Sequence, residues 1–351
     1  MEAVTSETFQ RLDKISNDLG EESNYGWKTS SPSEYLIDTR CFLATKEIID
    51  NKYKVKDFLG QGSFGRVYLV KHLITQDYYA MKMPIQQELN NELNCLNDFR
   101  PPIEVIDVRG VTGFIMQLRG RTLLEYIKGH KSYLKFKEIE GKVIHPSEIC
   151  LVAIEMLNQL QYLHKHGWIH RDIKHDNILF GNTTEDRYHI YLVDMGLAQR
   201  YCDGNGMPLP YSEGNAIKGN KSFMSLDCHT GKSMSPKDDM ESLAYMLLSL
   251  LNVKLPWSWK DDHDKIIEGK KFILYTDIWK GVPVAFKVFL ESVRELKYGD
   301  KPDYNSYRLN FEQTYNCIIE EDPKAPRSLG QSPVLENEDW THDFNKELKS
   351  F

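Results

Sequence analysis

Apolar positions from residue 53 onward fall in short runs, at 53–59, 67–70, 78–81, 105–108 and 114–118, each bounded by turn residues. Runs of that length, rich in Val, Ile, Tyr and Phe, predict antiparallel strands. Between the third and fourth runs, Leu89, Leu93 and Leu96 recur at helical spacing over 88–99, and Pro101-Pro102 closes the segment. Beyond Gly120 the period lengthens. Ser147 is placed to cap a helix whose Ile149, Val152, Met156, Leu160 and Leu163 form one apolar stripe, with Gly167 just past its end. Further proline-free helices are expected at 237–251, 284–296 and about 307–319. The chain contains no internal repeat. These patterns give an α+β class: a small antiparallel sheet with one helix over 51–117, then a larger, mainly helical region over 118–319.

The two ends differ in character. Residues 1–50 are rich in Ser, Thr, Glu and Asn with scattered aromatics, and are expected to be an extension, partly disordered. From Glu320 a run of acids, prolines and glycine predicts a linker opening an acidic tail over 320–351. In that tail Trp340, Phe344, Leu348 and Phe351 recur at intervals of four, four and three, which would line one face of a short docking helix.

Hydrophobic residues make up 41% and charged residues 27%, the balance of a globular protein with a real core. A net charge of -7, from 44 bases and 51 acids, weighs against wrapping a polyanion, so no nucleic-acid partner is expected. The longest apolar stretch, 243–253, is broken by Ser249 and Asn252 and falls short of the roughly 20 residues of a membrane span. No apolar core marks the first 20 residues as a secretory leader, so an intracellular setting, cytoplasm and/or nucleus, is expected, with the protein a monomer. The six cysteines show no C-x-x-C pair and no zinc-type cluster; they are expected to be reduced and mostly buried.

Candidate chemistry enters at four places. Gly60-Gln61-Gly62-Ser63-Phe64-Gly65 follows the first strand and bares the backbone where a phosphate can approach. A dinucleotide fingerprint has the same glycine spacing but opens a helix, whereas Val67 to Val70 continue as a strand, so the expected clamp is a hairpin. Lys82 ends the strand beside it; a buried ammonium there needs anions, and phosphates together with a carboxylate on the next helix would supply them. Glu92 is the better candidate for that carboxylate and Glu88 the alternative. Residues 170–180 read H-R-D-I-K-H-D-N-I-L-F. There Asp172 can accept a hydroxyl proton, Lys174 can offset charge on a transferring phosphoryl group, and the Asn177 oxygen can ligate Mg²⁺. His170 is expected to pack inside. Finally an apolar strand delivers Asp194, before Met195-Gly196, as a second metal ligand.

Ordered in this way, the motifs resemble the eukaryotic protein kinases over residues 53–319. That resemblance implies a two-lobed kinase fold with ATP and Mg²⁺ between an upper lobe (51–117) and a lower one (118–319). It also implies a hinge at Gln117, Leu118 and Arg119 after a gatekeeper Met116, and adenine held between Val67, Ala80 and Leu179. Asp172-Ile173-Lys174 resembles serine/threonine kinases, which implies transfer to Ser or Thr hydroxyls of protein substrates.

Within the superfamily, Ser235 to Tyr245, Leu255-Pro256-Trp257, Lys301-Pro302-Asp303-Tyr304 and the replacement of A-P-E by Ser222 to Asp227 look like the casein kinase 1 group, with the vaccinia-related kinases nearest otherwise. By that resemblance Asp239 buttresses the catalytic loop through backbone hydrogen bonds, and activity is constitutive. Met195 stands where the group has Phe, Ala244 where it has Gly, and Ser222 where it has an arginine that reads acidic or primed substrates. Lys218 and Lys221 lie near that position. The basic stretch after L-P-W is also altered, to Lys260-Asp261-Asp262-His263-Asp264. The competing class is a scaffold that kept the fold and lost transfer; the presence of the lysine, both metal ligands and the base weighs against it.

Overall fold

In a computed structural model the described residues are 39–85, 89–129, 144–251, 253–258 and 262–329, all within one unit that begins at Thr39. The expected terminal docking helix and most of the expected N-terminal extension lie outside them.

Six strands form the upper sheet: β1 (Ile48–Ile49), β2 (Tyr53–Gln61), β3 (Gly65–His72), β4 (Tyr78–Pro84), β5 (Glu104–Val108) and β6 (Val111–Gln117). Their spatial order is β1-β2-β3-β4-β6-β5, and every neighbouring pair is antiparallel. One sheet face buries Tyr53, Val55, Tyr68, Val70, Met81 and Ile115 with Ile106 and Val108. Residues 39–50, expected to be extension, are partly built into this layer. Cys41 is buried in the same core and its carbonyl accepts the Tyr68 hydroxyl at 2.9 Å, while Ile48 and Ile49 pair with Lys54 and Tyr53. A two-residue strand is too short to leave a periodic signature, which is why the sequence pattern missed it.

The helix α1 (Leu89–Phe99) between β4 and β5 buries Cys95, Leu96 and Phe99 in the lower core rather than in the sheet core. That lower core is built on α3 (Pro146–Lys165), preceded by α2 (Leu123–Gly129) and followed by α4 (Leu226–His229), α5 (Pro236–Leu250), α6 (His263–Phe272), α7 (Val284–Glu295) and α8 (Tyr304–Glu321). The expected stripe of α3 is buried throughout, Ile149, Met156, Leu160 and Leu163 completely. Its cap differs from expectation. Pro146 occupies the first turn, where a missing N–H costs nothing, so the cap is His145, whose Nδ1 accepts the Ser147 N–H at 3.3 Å. Ser147 instead donates its hydroxyl to the Pro326 carbonyl at 3.0 Å. With Ala325 and Leu329 also buried, the start of the expected linker packs back on α3, held by contacts that a composition argument cannot see.

Four short strands carry the loops between the lobes. β7 (Trp168–Ile169) pairs with β10 (Gln199–Arg200), and β8 (Ile178–Phe180) with β9 (Ile190–Leu192). Five of the six cysteines are buried, and none of the six is in a disulfide. Among the described residues no helix is long and apolar enough to cross a membrane.

Candidate active site

The β2–β3 hairpin turns at Gly62, whose N–H donates to the Gly65 carbonyl at 2.9 Å. The three glycines are bare for different reasons. A Cβ on Gly65 would meet the Met83 carbonyl at 2.8 Å and Lys82 Cε at 3.0 Å, so close strand packing excludes one; a Cβ on Gly60 or Gly62 would meet nothing within 4 Å. The protein itself therefore does not require those two glycines, whereas a ligand lying against the hairpin would. Phe64 folds inward onto Gly196, where a Cβ would approach the Phe64 ring to 2.6 Å.

Antiparallel pairing of β4 with β6 sets Ala80 against Met116 and Lys82 against Phe114. Lys82 is only 5% exposed. Its Nζ donates to Glu92 Oε1 at 2.5 Å and to Asp194 Oδ1 at 2.7 Å. Glu92 is the partner from α1, and Glu88 lies outside the described residues. Burial pulls the Lys82 pKa down, but the charges of Asp194 and Glu92 outweigh it and hold it above the ordinary lysine value. Burial pushes Asp194 up, and Lys82 outweighs that in turn, leaving it below the usual carboxylate range. Glu92, facing the same ammonium, is raised by burial.

The H-R-D loop is fixed from beneath by α5. Asp239, fully buried at the helix's first turn, accepts the His170 N–H at 2.7 Å, the Arg171 N–H at 2.8 Å and His164 Nε2 at 2.9 Å. Burial would raise its pKa, but the His164 hydrogen bond and these N–H groups hold it down, as an anion. With Nε2–H committed to that anion, His164 Nδ1 is free to accept the Tyr304 hydroxyl at 2.5 Å. Helix α8 is thereby linked to the loop. Arg171 and Asp194 both have positive φ, +70° and +65°, conformations that cost a non-glycine residue free energy; the Asp239 bond to the Arg171 N–H holds the first. His170 is wholly buried; its Nε2 donates to the Val193 carbonyl and its Nδ1 accepts the Asp172 N–H.

Asp172 sits above this base with both oxygens engaged. Oδ2 accepts Lys174 Nζ at 2.6 Å and Asn177 Nδ2 at 3.1 Å, and Oδ1 accepts the Asn220 N–H at 3.1 Å. Asn177 Nδ2 also donates to the Asp172 carbonyl at 2.9 Å. What Asn177 has left to offer a cation is its acceptor oxygen. Asp194 spends Oδ1 on Lys82 and the Gly196 N–H, so Oδ2 is the oxygen it can offer. Two hard oxygen donors fit Mg²⁺, which is usually held by one or two side chains plus phosphates and water. Among the described residues no group of three or more His, Cys, Asp or Glu side chains could hold a metal alone.

The cleft has a volume of about 1350 Å³. Gly60, Gln61, Gly62, Phe64 and Gly65 line its roof, with Val67, Ala80 and Lys82 behind them. Met116, Gln117, Leu118 and Arg119 form the back edge, and Leu179, Asn177, Asp194 and Glu92 complete it. Ser63, exposed at the hairpin tip, does not line it; Asp172 and Lys174 join through the Asn177 bond. Around Ser222, fully buried Lys270 donates to the Lys221 and Met224 carbonyls, at 2.9 and 2.6 Å, and the Ser222 carbonyl accepts Trp257 Nε1 at 2.8 Å. The loop is thus anchored through its backbone while Lys218 and Lys221 remain exposed.

A glycine hairpin over a lysine–carboxylate pair, facing an H-R-D loop and a D-x-G turn across a hinge, is the arrangement of a protein kinase catalytic domain. The chain matches the protein kinase domain over residues 53–302, and it belongs to that family. It is similar to a protein named a probable serine/threonine-protein kinase from Dictyostelium discoideum, at 28% identity over 283 residues, 78% of this chain and 56% of that protein. The chain therefore spans a little over half the length of that relative.

Proposed function

We propose that this protein is a serine/threonine protein kinase that transfers the γ-phosphoryl group of ATP to protein hydroxyls with Mg²⁺. The reading rests on one observation: Lys82, Asn177 and Asp194, spread over 112 positions of sequence, line a single cleft, Lys82 bonded to Asp194 and Asn177 to Asp172. Gly60 and Gly62 admit the phosphates against bare backbone, and Lys82 holds them. Asp194 and Asn177 hold Mg²⁺, which when bound offsets charge on the phosphates. Asp172 orients the substrate hydroxyl and takes its proton as the oxygen bonds to the γ-phosphorus and the bond to the ADP oxygen breaks. Lys174 offsets the charge of the phosphoryl group in passage.

The casein kinase 1-like assignment is supported by the K-P-D-Y run, whose Tyr304 reaches the catalytic-loop support. Ser222 in place of an arginine argues against a strict demand for acidic substrates.

Transfer of radiolabelled γ-phosphate tests the reading. Asp172→Asn should lower the rate by about 10²- to 10⁴-fold, the usual worth of a general base. The labelled products should be phosphoserine and phosphothreonine. An equal rate in wild type and variant would leave a scaffold, and phosphotyrosine would overturn the substrate class.

A further inference from the structure

Arg100 closes the last turn of α1, its N–H donating to the Leu96 carbonyl at 2.7 Å, and Pro101 and Pro102 stop the helix behind it. Its guanidinium does not stay with the sheet lobe. Nη1 donates to the Leu192 carbonyl at 3.2 Å and Nη2 to Gln159 Oε1 at 3.3 Å. Its Cζ lies over the Tyr191 ring, 5.0 Å from the ring centre. Gln159 itself holds strand β9, accepting the Leu192 N–H and donating to the Ile190 carbonyl. Arg119, at the hinge, lies 3.5 Å from the same Tyr191 ring and pairs with Asp186 at 2.9 Å. Burial, and then the nearby Arg119, pull Arg100 down only to about 10, so it is charged at neutral pH.

The position matters more than the charge. Helix α1 carries Glu92, and β9 ends two residues before Asp194. Those two carboxylates are the pair that grips Lys82. The two elements are thus joined at one point by Lys82 and at another by Arg100. A separate contact supports the same docking: Asp98 of α1 accepts Trp168 Nε1 and Arg200 Nη2, each at 2.8 Å.

We infer that Arg100 is a positioning residue for the proposed phosphotransfer: by clamping the end of α1 to β9 over Tyr191, it fixes the separation of Glu92 and Asp194 and hence the place of Lys82. This rests on the kinase reading above. A two-pronged, planar group is needed for it. Lysine would keep the stem and the charge but has neither the second prong nor the stacking plane.

A double-mutant cycle separates this role from simple packing. Arg100→Gln and Arg100→Lys are each made in the wild-type and in the Glu92→Gln background. Dissociation constants for MgATP and kcat for phosphate transfer are then measured at matched folded fraction, set by thermal melting. In the wild-type background Arg100→Gln should weaken MgATP binding and lower kcat by about fivefold or more, and Arg100→Lys by a smaller factor. In the Glu92→Gln background both losses should shrink to below about twofold, since coupled neighbours are not additive. Equal factors in the two backgrounds would overturn the inference while leaving the kinase assignment intact. If Arg100→Gln does not fold, Arg100→Lys carries the same comparison. A wild-type protein that binds MgATP but transfers no phosphate would sink the proposed activity instead, and the binding cycle would still decide the role of Arg100.

Discussion

Lys82 has lost nearly all contact with water, which ordinarily favours the neutral amine; two carboxylates at hydrogen-bond distance reverse that preference. His175, next to the loop lysine, shows the opposite outcome. It is buried, packs edge-on against Phe223, and has the Ser249 hydroxyl at its Nε2 and the Met246 backbone as hydrogen-bond partners. With no carboxylate partner, burial lowers its pKa to about 4. The folded state therefore resists protonation at pH values where the unfolded chain, near 6.5, accepts it. Stability from this group is complete above pH 6.5 and is lost as pH falls from 6.5 toward 4. His229, lowered to about 3 by burial and by Lys270, acts in the same sense. Urea denaturation should show a loss of about 2 kcal/mol from His175 between pH 7 and 5. His175→Gln should flatten that part of the profile, and an unchanged slope would refute the assignment.

At the scale of elements, the glycine hairpin separates packing from ligand binding. Gly65→Ala forces its Cβ against the Met83 carbonyl and should cost about 1–3 kcal/mol, seen as a lower denaturation midpoint. Gly62→Ala meets open space and should leave stability within about 0.5 kcal/mol. Its effect should appear in MgATP affinity, weakened by about tenfold, or 1.4 kcal/mol. If both variants lost stability alike, the open space at Gly62 would have no connection with a ligand. The stripe of α3 was plain in the sequence because burial on one side of a helix imposes its own period. Its true cap was not, since His145 caps only because Pro146 starts the helix and Ser147 is drawn to Pro326.

For the molecule as a whole, the helix α1 belongs by packing to the lower core while its Glu92 faces the upper sheet's lysine. The two lobes are therefore joined through the cleft and not only through the hinge. A nucleotide at a hundred times its dissociation constant should add about 2.7 kcal/mol of stability, a rise in Tm on the order of 5 °C. Lys82→Met should abolish most of that rise in a thermal melt. An undiminished shift would mean that nucleotide binds without the lysine, and so elsewhere.

The alternation of short apolar runs followed by long helical stripes, and the order of glycines, lysine, H-R-D, asparagine and D-x-G, were written in the sequence itself. Such signals depend on near neighbours or on the chemistry of a side chain, and both survive without knowledge of the fold. Other features arise only when distant segments meet. The selection of Glu92 beside Asp194, the pairing of residues 48–49 with the sheet, the return of Pro326 to α3, the line from Tyr304 through His164 to Asp239, and the reach of Arg100 to β9 each join residues with no local pattern between them. A contact across a hundred positions is set by how the cores stack, and only the folded chain brings its two ends to one place.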